Sequence, residues 1–529
     1  MSCDAWVNRG WHANHATVPS LANTLFARTA LGGSGPRVVA PLAAALAMAV
    51  WLLAGGPALA ARNPGLDRAI ALDGLSGFML LLFLLEEASR GAHRGPFAPG
   101  AWACRVAGTL LALAAADGAI LLTGVALASG WRRSIVPVIA LLAALAIPGG
   151  GAFADIRATG LDDAPRAIAI VAALLAARPG TLGTYLLLRL TLDLAGPMPL
   201  WTAGLVLLGG AALALASGWA ASRTVVAAHA AAHALRLQSG LTMLGAGLVL
   251  AARATDQASA SGAGFAVIWL SCFSAAAVLP LWQVVASIAR DTTGSASLAA
   301  MAGILRTLRI GTPAALLAGL TLAAVPPGAG FMALWQAFQA IRLLPLPPLL
   351  SATIALALAL AAGFAAHTAL RLLSGLAGPP DTRATERPVE RWIFVLTGLL
   401  ATLAAVFPAA LLVLAAPATL ALDGETGIPP APGYAPWAVA VLLAGLATAI
   451  GLALRHTAAE GHRLIAAAPP IMPTQPPRSL ANAWPPLPLR RALRRATHRL
   501  RAIEQPDPTI PLAGAFAVLV ALLLARVLA

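Results

Sequence analysis

Lysine is absent from this chain of 529 residues, whose 35 basic residues are all arginine. Charge of either sign is scarce: 10% of the residues are charged, 59% are hydrophobic, and the mean hydropathy is +0.82. Since a soluble domain carries about 25% charged residues, this composition excludes a soluble multidomain enzyme. With roughly 20 apolar residues needed per membrane span, it predicts an all-α, polytopic integral membrane protein.

Cysteine is also rare. The three cysteines, Cys3, Cys104 and Cys272, lie far apart and have no CxxC spacing, which predicts neither a disulfide framework nor an iron–sulfur or zinc site. The sequence has no nucleophile triad, phosphate loop or HExxH motif, so hydrolytic and nucleotide chemistry have no support. The formal charge of +15 comes mostly from arginines at the ends of apolar runs, where they set orientation in a membrane. A nucleic-acid partner is therefore not expected.

Fourteen apolar runs predict about 14 transmembrane helices. Their approximate bounds are 38 to 60, 72 to 89, 102 to 130, 134 to 153, 167 to 192, 199 to 220, 223 to 251, 263 to 289, 310 to 325, 328 to 346, 350 to 375, 391 to 417, 435 to 455 and 508 to 528. The first run is either a retained helix or the apolar part of a signal peptide. We expect a polar N-terminal extension over 1–37, a transmembrane domain over 38–455 and a final helix over 508–529.

The loops predict an orientation. If all fourteen runs cross, the loops at 131–133, 376–391 and 456–507 share one face and hold most of the arginine clusters. Because basic residues are in excess in cytoplasmic loops, this face is predicted to be the cytoplasmic face of a bacterial inner membrane. Both termini then lie on the opposite face.

Two segments depart from simple spans. Arg178, Pro179 and Gly180 interrupt an apolar run, which predicts either a broken helix of the kind that lines ion pathways or a plain proline kink. The region 456–507 begins with a proline-rich linker, and its residues 489–503 place arginines opposite an apolar face. This pattern predicts an amphipathic helix on the membrane surface or on a partner subunit, or else a basic anchor for the final span.

Ionisable residues within apolar runs are functional candidates, because a charge at the bilayer centre costs at least about 2.5 kcal/mol. They are Asp117, Arg189, His229, His233, Arg236, His367 and Arg371, with Glu86 and Glu87 at the end of a run. His229 and His233 are four residues apart and share a helix face. Such a pair suits a proton relay, since histidine titrates near neutral pH, or a pair of buried, hydrogen-bonded imidazoles. The candidate proton path comprises Asp117, His229, His233 and His367.

Several motifs together resemble those of a known family. The segment 72–78, LDGLSGF, resembles the LDxLSxFF motif of the antiporter-like membrane subunits of complex I, of group 4 hydrogenases such as formate hydrogenlyase, and of Mrp-type antiporters. The segments 181–189 and 240–247 resemble later helices of these subunits. The segment 325–335 is similar to the signature PPxxGFxxEW, and its matching residues are Pro326, Pro327, Gly330, Phe331 and Trp335. The basic stretch and final span near the C-terminus are most similar to the large hydrogenase-type subunit.

The resemblance implies an antiporter-like fold with broken helices. Members carry protons or sodium ions across the membrane, driven by electron transfer in a hydrophilic redox arm. The implied partners are therefore other membrane subunits, the hydrophilic arm and the lipid membrane, with no redox cofactor in this chain. Members use a glutamate on an early helix and lysines on three later helices, and a buried lysine can release its proton because its pKa is easily lowered.

This sequence departs from that relay. The glutamate position falls near Ala126, the lysine positions fall at Thr181, within 273–281 and at His367, and the acidic position of the last signature is Leu334. Of the residues at the glutamate and lysine positions of the relay, only His367 can titrate. The sequence therefore predicts a non-catalytic membrane-arm subunit of an NADH-quinone oxidoreductase or hydrogenase type complex, degenerate as a pump and largely structural. The alternatives are a standalone or multi-subunit cation/proton antiporter component and an assembly protein without an ion path.

Overall fold

The computed structural model describes residues 35–53, 73–93, 99–115, 118–129, 180–194, 198–295, 297–326, 328–376 and 384–423. In these ranges the chain is mostly helical, and the one β-type pairing between two described residues is an isolated bridge between Val226 and Ser297. The predicted all-α class is confirmed. Asp117, Pro179, Pro327 and the segments predicted over 456–507 and 508–529 lie outside the described residues.

Fifteen α-helices are described in these ranges. In chain order they are α1 Gly35–Leu53, α2 Gly74–Gly91, α3 Pro99–Leu113, α4 Gly118–Ser129, α5 Thr181–Leu188, α6 Leu200–Arg223, α7 Ala227–Ala254, α8 Ala258–Phe273, α9 Leu281–Thr293, α10 Ile304–Thr307, α11 Gly311–Leu322, α12 Ala329–Leu343, α13 Pro348–Leu373, α14 Pro388–Val406 and α15 Pro408–Asp423. Two π-helical segments, Arg189–Leu194 and Ser274–Val278, follow α5 and α8. Such π-segments often occur at functional sites.

Five stretches are long and apolar enough to cross a membrane, judged within the described ranges. They are Leu200–Arg223, Ala227–Ala254, Ala258–Thr293, Pro348–Leu376 and Pro388–Val406. The spans of α7 and of α8–α9 are almost wholly buried, whereas only 22% of the span that contains α13 is buried. The bundle is therefore built around α7 and the α8–α9 span, with α13 at its periphery.

Glycine allows α6 and α7 to pack closely. A Cβ atom added at Gly210 would lie 2.4 Å from the backbone nitrogen of Leu244, and one added at Gly240 would lie 2.5 Å from that of Ala214. Small residues let transmembrane helices approach backbone to backbone. Van der Waals contact then stabilises the helix pair, because in lipid there is no hydrophobic driving force between helices. This antiparallel pair forms the most extensive helix contact in the described part of the chain.

Helices α11 and α12 together form one interrupted crossing, which corrects the prediction of two separate spans over 310–325 and 328–346. Helix α11 packs beside α9 and α14, and α12 packs beside α8. Since α8 and α9 are successive halves of one span, α11 and α12 occupy opposite halves of the bundle. The break contains Pro326, which lacks a backbone donor, and Ala324, whose φ is +51°.

This single crossing also changes the predicted alternation of loops. The Oε1 atom of Glu386, which precedes α14, accepts hydrogen bonds from the backbone nitrogens of Ile310 and Gly311 at 2.9 and 2.8 Å. The chain before α11 and the chain before α14 therefore lie at the same end of the bundle. Fourteen separate crossings would have put them on opposite faces.

Two other apolar runs are each divided between two helices. The run at 102–130 contains α3 and α4, and the run at 391–417 contains α14 and most of α15. In the second run Pro408 disfavours helical geometry at the preceding residue, Phe407, whose φ and ψ are −128° and 61°. The sequence predicted one continuous span in each case.

The two ends of the bundle differ in charge. Arg371 donates to the carbonyl oxygen of Ser222, joining the C-terminal ends of α13 and α6, and Arg387 lies 3.5 Å from Asp291, joining the start of α14 to the end of α9. We call this the basic end; its arginines include Arg223, Arg290, Arg306, Arg309, Arg371, Arg387 and Arg391. The described charges at the opposite end are Arg189, Arg253, Arg342, Asp73, Asp193, Asp256 and Asp423.

Candidate functional site

A buried arginine joins α2 to α5. Arg189 is 1% exposed, and its Nη1 atom lies 2.7 Å from the Oδ2 atom of Asp73 and 2.6 Å from that of Asp193. Its Nε and Nη2 atoms donate to the hydroxyls of Tyr185 and Ser76, both at 3.1 Å. Both carboxylates and both hydroxyls thus converge on one guanidinium, which is always protonated.

Local structure sets this geometry. Asp73 caps the N-terminus of α2 by accepting from the backbone nitrogen of Ser76 at 2.9 Å. Tyr185, Arg189 and Asp193 are spaced by four residues along α5 and its π-helical continuation, so their side chains lie near one another on one side. The π-helical segment begins at Arg189, the residue that contacts both aspartates.

A second ionic cluster lies at the other end of α2. Glu86 is 8% exposed and Glu87 is 2% exposed. Arg90 donates to both: to Glu86, and to Oε1 of Glu87 at 2.6 Å. The Oε2 atom of Glu87 accepts from Nη2 of Arg105 at 2.9 Å and from the indole nitrogen of Trp102 at 3.0 Å. Two buried carboxylates are thus held by two arginines.

Glu86 also caps the start of α5. Its Oε2 atom accepts from the backbone nitrogen of Thr181 at 3.2 Å and from the Thr181 hydroxyl at 2.8 Å. A helix N-terminus carries partial positive charge and unpaired N–H groups, so a carboxylate there is stabilised. Gly180 directly precedes α5 and has a φ of +124°. Glycine adopts this backbone conformation readily, whereas other residues are strained in it. Helix α5 thus begins directly after Gly180; residues 130–179 lie outside the described ranges, so the broken helix predicted here stays a prediction.

A cavity of about 170 Å³ opens between these elements. Its polar lining comprises Glu86, Arg90, Thr181, Thr184, Ser239, Thr242, Cys272 and Gln283, and Pro280 lies beside the π-segment of α8. Water occupies about 30 Å³ per molecule in the liquid, and polar cavities of sufficient size hold it. The cavity has room for several water molecules, and Glu86 is the one carboxylate among its lining residues.

The predicted histidines lie in different environments. His229 is exposed, whereas His233 is 8% exposed and its Nδ1 atom lies 3.3 Å from Nη1 of Arg236. His367 is half-buried, and its Nε2 atom is buried without a hydrogen-bond partner. None of the three lines the cavity that contains Glu86. A proton path through them and Asp117 stays a prediction.

The proline-glycine signature lies at the break between α11 and α12. A Cβ atom at Gly330 would lie 2.0 Å from the carbonyl oxygen of Thr321, so only glycine allows this approach. The rings of Phe331 and Trp335 stack with centroids 6.3 Å apart on α12. The predicted acidic position, Leu334, is 8% exposed in the apolar core.

Sequence reasoning gave the carboxylates of both clusters too little weight. Glu86 and Glu87 were placed at the end of an apolar run, and the partners of Arg189 were not identified. A signal was available for the first cluster, because Glu86 and Arg90 have the i,i+4 spacing of a helical ion pair. Arg105 could not be found in this way, since it comes from another helix. Among the described residues, no three His, Cys, Asp or Glu side chains are placed to hold a metal.

No protein-family model matches the chain, and no curated protein matches it by sequence. Solved structures do match the chain by fold. The chain is similar to the structure of the Mrp complex from a Dietzia species, with a TM-score of 0.53 and 17% identity, over 87% of this chain and 56% of that one. It is also similar to respiratory complex I from Thermus thermophilus with bound NADH, with a TM-score of 0.51 and 17% identity, over 68% of this chain and 87% of that one. The chain has an antiporter-like fold.

This fold is the one that the resemblance of the motifs implies. A further similar structure is the membrane-bound sulfane sulfur reductase, an archaeal respiratory membrane complex, with a TM-score of 0.49 and 14% identity, over 73% of this chain and 74% of that one. The present chain spans about 56% of the length of the Mrp chain it matches. At 17% identity, the likeness to the Mrp complex and to complex I establishes the architecture alone, a polytopic bundle of antiporter-like type.

Proposed function

We propose that this chain is a membrane subunit of a multi-subunit, ion-translocating complex, in which it acts as a fixed structural element and not as a lysine-relay pump. The observation that carries the proposal is the pairing of its interior carboxylates. Asp73, Glu86, Glu87 and Asp193 each bond an arginine. Arginine does not release its proton in proteins, so none of these pairs can hand a proton along as a lysine–carboxylate pair does.

The fold supports the membrane-complex part of the proposal, because the similar structures belong to an Mrp complex and to respiratory complexes. We propose a hydrophilic redox arm as the further partner. The test is purification of the tagged full chain from native membranes in mild detergent, followed by identification of co-purifying subunits. Stoichiometric recovery of membrane subunits together with a redox subunit is expected. Recovery of the chain alone would contradict the proposal.

A cation/proton antiporter component is the second candidate, and the match to the Mrp complex over 87% of this chain favours it. The two candidates differ in what drives ion movement. An antiporter component exchanges ions down an imposed gradient, alone or with other antiporter subunits. The structural-subunit proposal predicts no exchange by the purified chain in proteoliposomes under a proton gradient, with protein-free vesicles as the baseline.

We also propose that the basic end faces the cytoplasm of a bacterial cell. The support is the excess of described arginines there and the positive-inside rule. Single cysteines introduced by Arg309→Cys at the basic end and Arg342→Cys at the opposite end provide the test, in a chain whose three cysteines are replaced by serine. A membrane-impermeant maleimide added to spheroplasts should label the second variant and spare the first. The reverse labelling would invert the orientation.

A further inference from the structure

Three exposed arginines surround one corner of the basic end. Arg309 precedes α11, and Arg387 and Arg391 lie at the start of α14. Glu386 brings these segments together, because its Oε1 atom accepts from the backbone before and at the start of α11, while its Oε2 atom lies 3.5 Å from Nε of Arg391. The three arginines are therefore near neighbours although they come from different parts of the chain.

The carboxylates at this corner face inward. Glu386 has a side chain only 5% exposed and bonds the N-terminus of α11, and Glu390 is fully buried and accepts from the backbone nitrogen of Arg387. Their charges thus offset the positive ends of two helix dipoles. The outward charge comes from the arginines, of which Arg387 lies 3.5 Å from Asp291 and Arg391 lies 3.5 Å from the largely buried Glu386. Arg309 forms no ion pair within the described part of the chain.

An exposed apolar stripe begins directly beside the arginines. Its members are spaced three or four residues apart along one face of α14 and the residue directly after it: Trp392, Val395, Leu399, Leu403 and Phe407. Trp392 is 60% exposed and Leu399 is 64% exposed, so no described element covers them. At 1.5 Å per residue the stripe from Trp392 to Leu403 is about 16 Å long, close to the hydrocarbon depth of one leaflet, about 15 Å.

We propose that this corner binds one anionic phospholipid, with its phosphate on Arg309, Arg387 and Arg391 and its acyl chains along the stripe of α14. The chemistry fits because guanidinium groups bond phosphate oxygens in bidentate fashion. Tryptophan is enriched at headgroup depth, and basic pockets at membrane level bind anionic headgroups. Charge complementarity selects this ligand, since the arginines and the apolar stripe meet at the level where a lipid headgroup joins its chains.

A water-soluble protein would contact the arginines but would leave the stripe uncovered. A zwitterionic lipid would cover the stripe but would bring no net charge to the arginines. The anionic lipid satisfies both parts of the surface, and the selectivity between lipids is therefore the property to measure.

The test uses the full-length chain, delipidated in mild detergent and titrated with dioleoyl phosphatidylglycerol or dioleoyl phosphatidylcholine, with bound lipid counted by native mass spectrometry. The double variant Arg387→Gln/Arg391→Gln should bind phosphatidylglycerol about 30-fold more weakly, which corresponds to about 1 kcal/mol per arginine at an anionic surface. Arg387→Lys/Arg391→Lys keeps the charge but loses the bidentate geometry, so its phosphatidylglycerol binding should lie between that of the double glutamine variant and that of the parent chain. Phosphatidylcholine binding should be weak and unchanged in all of them.

Arg342→Gln is the matched control, because Arg342 is an exposed arginine of the opposite end; its lipid binding should equal that of the parent. Arg309→Gln keeps the proposal testable if the double variant misfolds, since this substitution leaves the contacts of Glu386 and Asp291 intact. It should weaken phosphatidylglycerol binding about fivefold. Equal binding of the two lipids by the parent chain would overturn the proposal. Unchanged phosphatidylglycerol binding by the arginine variants would also overturn it. This holds whether or not those variants lose a co-purifying soluble subunit.

Discussion

Replacing Arg189 with methionine removes the positive charge that holds Asp73 and Asp193 inside the bundle. The guanidinium is 1% exposed and lies 2.7 and 2.6 Å from the two carboxylates. Removing one partner of a buried ion pair costs about 3–5 kcal/mol, because it leaves an uncompensated buried charge. Of the two carboxylates that are left, Asp193 has a side chain 4% exposed and Asp73 one 23% exposed, so water partly solvates the second and the lower part of that range, about 3 kcal/mol, is expected.

The assay should measure a rate, because large membrane proteins often unfold irreversibly. We expect the half-life of the native chain in detergent at a fixed raised temperature, followed by tryptophan fluorescence, to fall about a hundredfold or more. This is the factor for about 3 kcal/mol if the loss is expressed in the unfolding rate. The triple variant Asp73→Asn/Arg189→Met/Asp193→Asn should recover much of the lost half-life, since it removes the unpaired charges.

Arg387→Gln is the control for charge removal as such. The pair of Arg387 with Asp291 has side chains 52% and 50% exposed, and exposed pairs contribute about 0–1 kcal/mol. Its half-life should therefore stay within a few-fold of the parent chain. The reasoning is refuted if Arg189→Met decays no faster than Arg387→Gln.

Two further comparisons test other features of the bundle by the same stability assay. Gly180→Ala should cost about 1–3 kcal/mol of stability, because φ at Gly180 is +124°. Gly363→Ala should be neutral or should stabilise by up to about 1 kcal/mol, because Gly363 lies within α13 with open space around an added Cβ. Equal effects of the two substitutions would contradict a strained backbone at the start of α5. Arg253→Gln should cost about 1–2 kcal/mol, because Arg253 joins the end of α7 to the π-helical segment after α5 and to the end of α15 through one carboxylate and two carbonyl oxygens. Arg342→Gln should change stability by less than about 0.5 kcal/mol, and a cost as large as that of Arg253→Gln would argue against this tie.

Composition and periodicity were sufficient to predict the fold class and the positions of α6 and α7. A helix start directly after Gly180 was also predictable, because glycine and proline change the backbone whatever surrounds them. The number of membrane crossings was not predictable from the sequence. Two apolar runs separated by prolines read as two spans, and only the packing of α11 against α9 and of α12 against α8 shows that they share one crossing.

The site was predictable one residue at a time but not as a network. Arg189 was a candidate because a charge within an apolar run is unusual, yet its partner Asp73 lies on another helix. His229 and His233 share a helix face by spacing, but one is exposed and the other is buried. Spacing fixes the direction of a side chain on its helix; what packs there depends on the neighbouring helices.

The most direct test of the proposed function compares ion movement with electron transfer in the assembled complex. Everted vesicles containing the complex with His367→Leu are compared with the parent and with Gly363→Ala, a control on the same helix. We predict that proton or sodium uptake per electron is the same in all three, because this chain supplies structure and not a titrating relay. Loss of uptake in the His367→Leu vesicles, with electron transfer retained, would contradict the proposal and would make this chain a working pump.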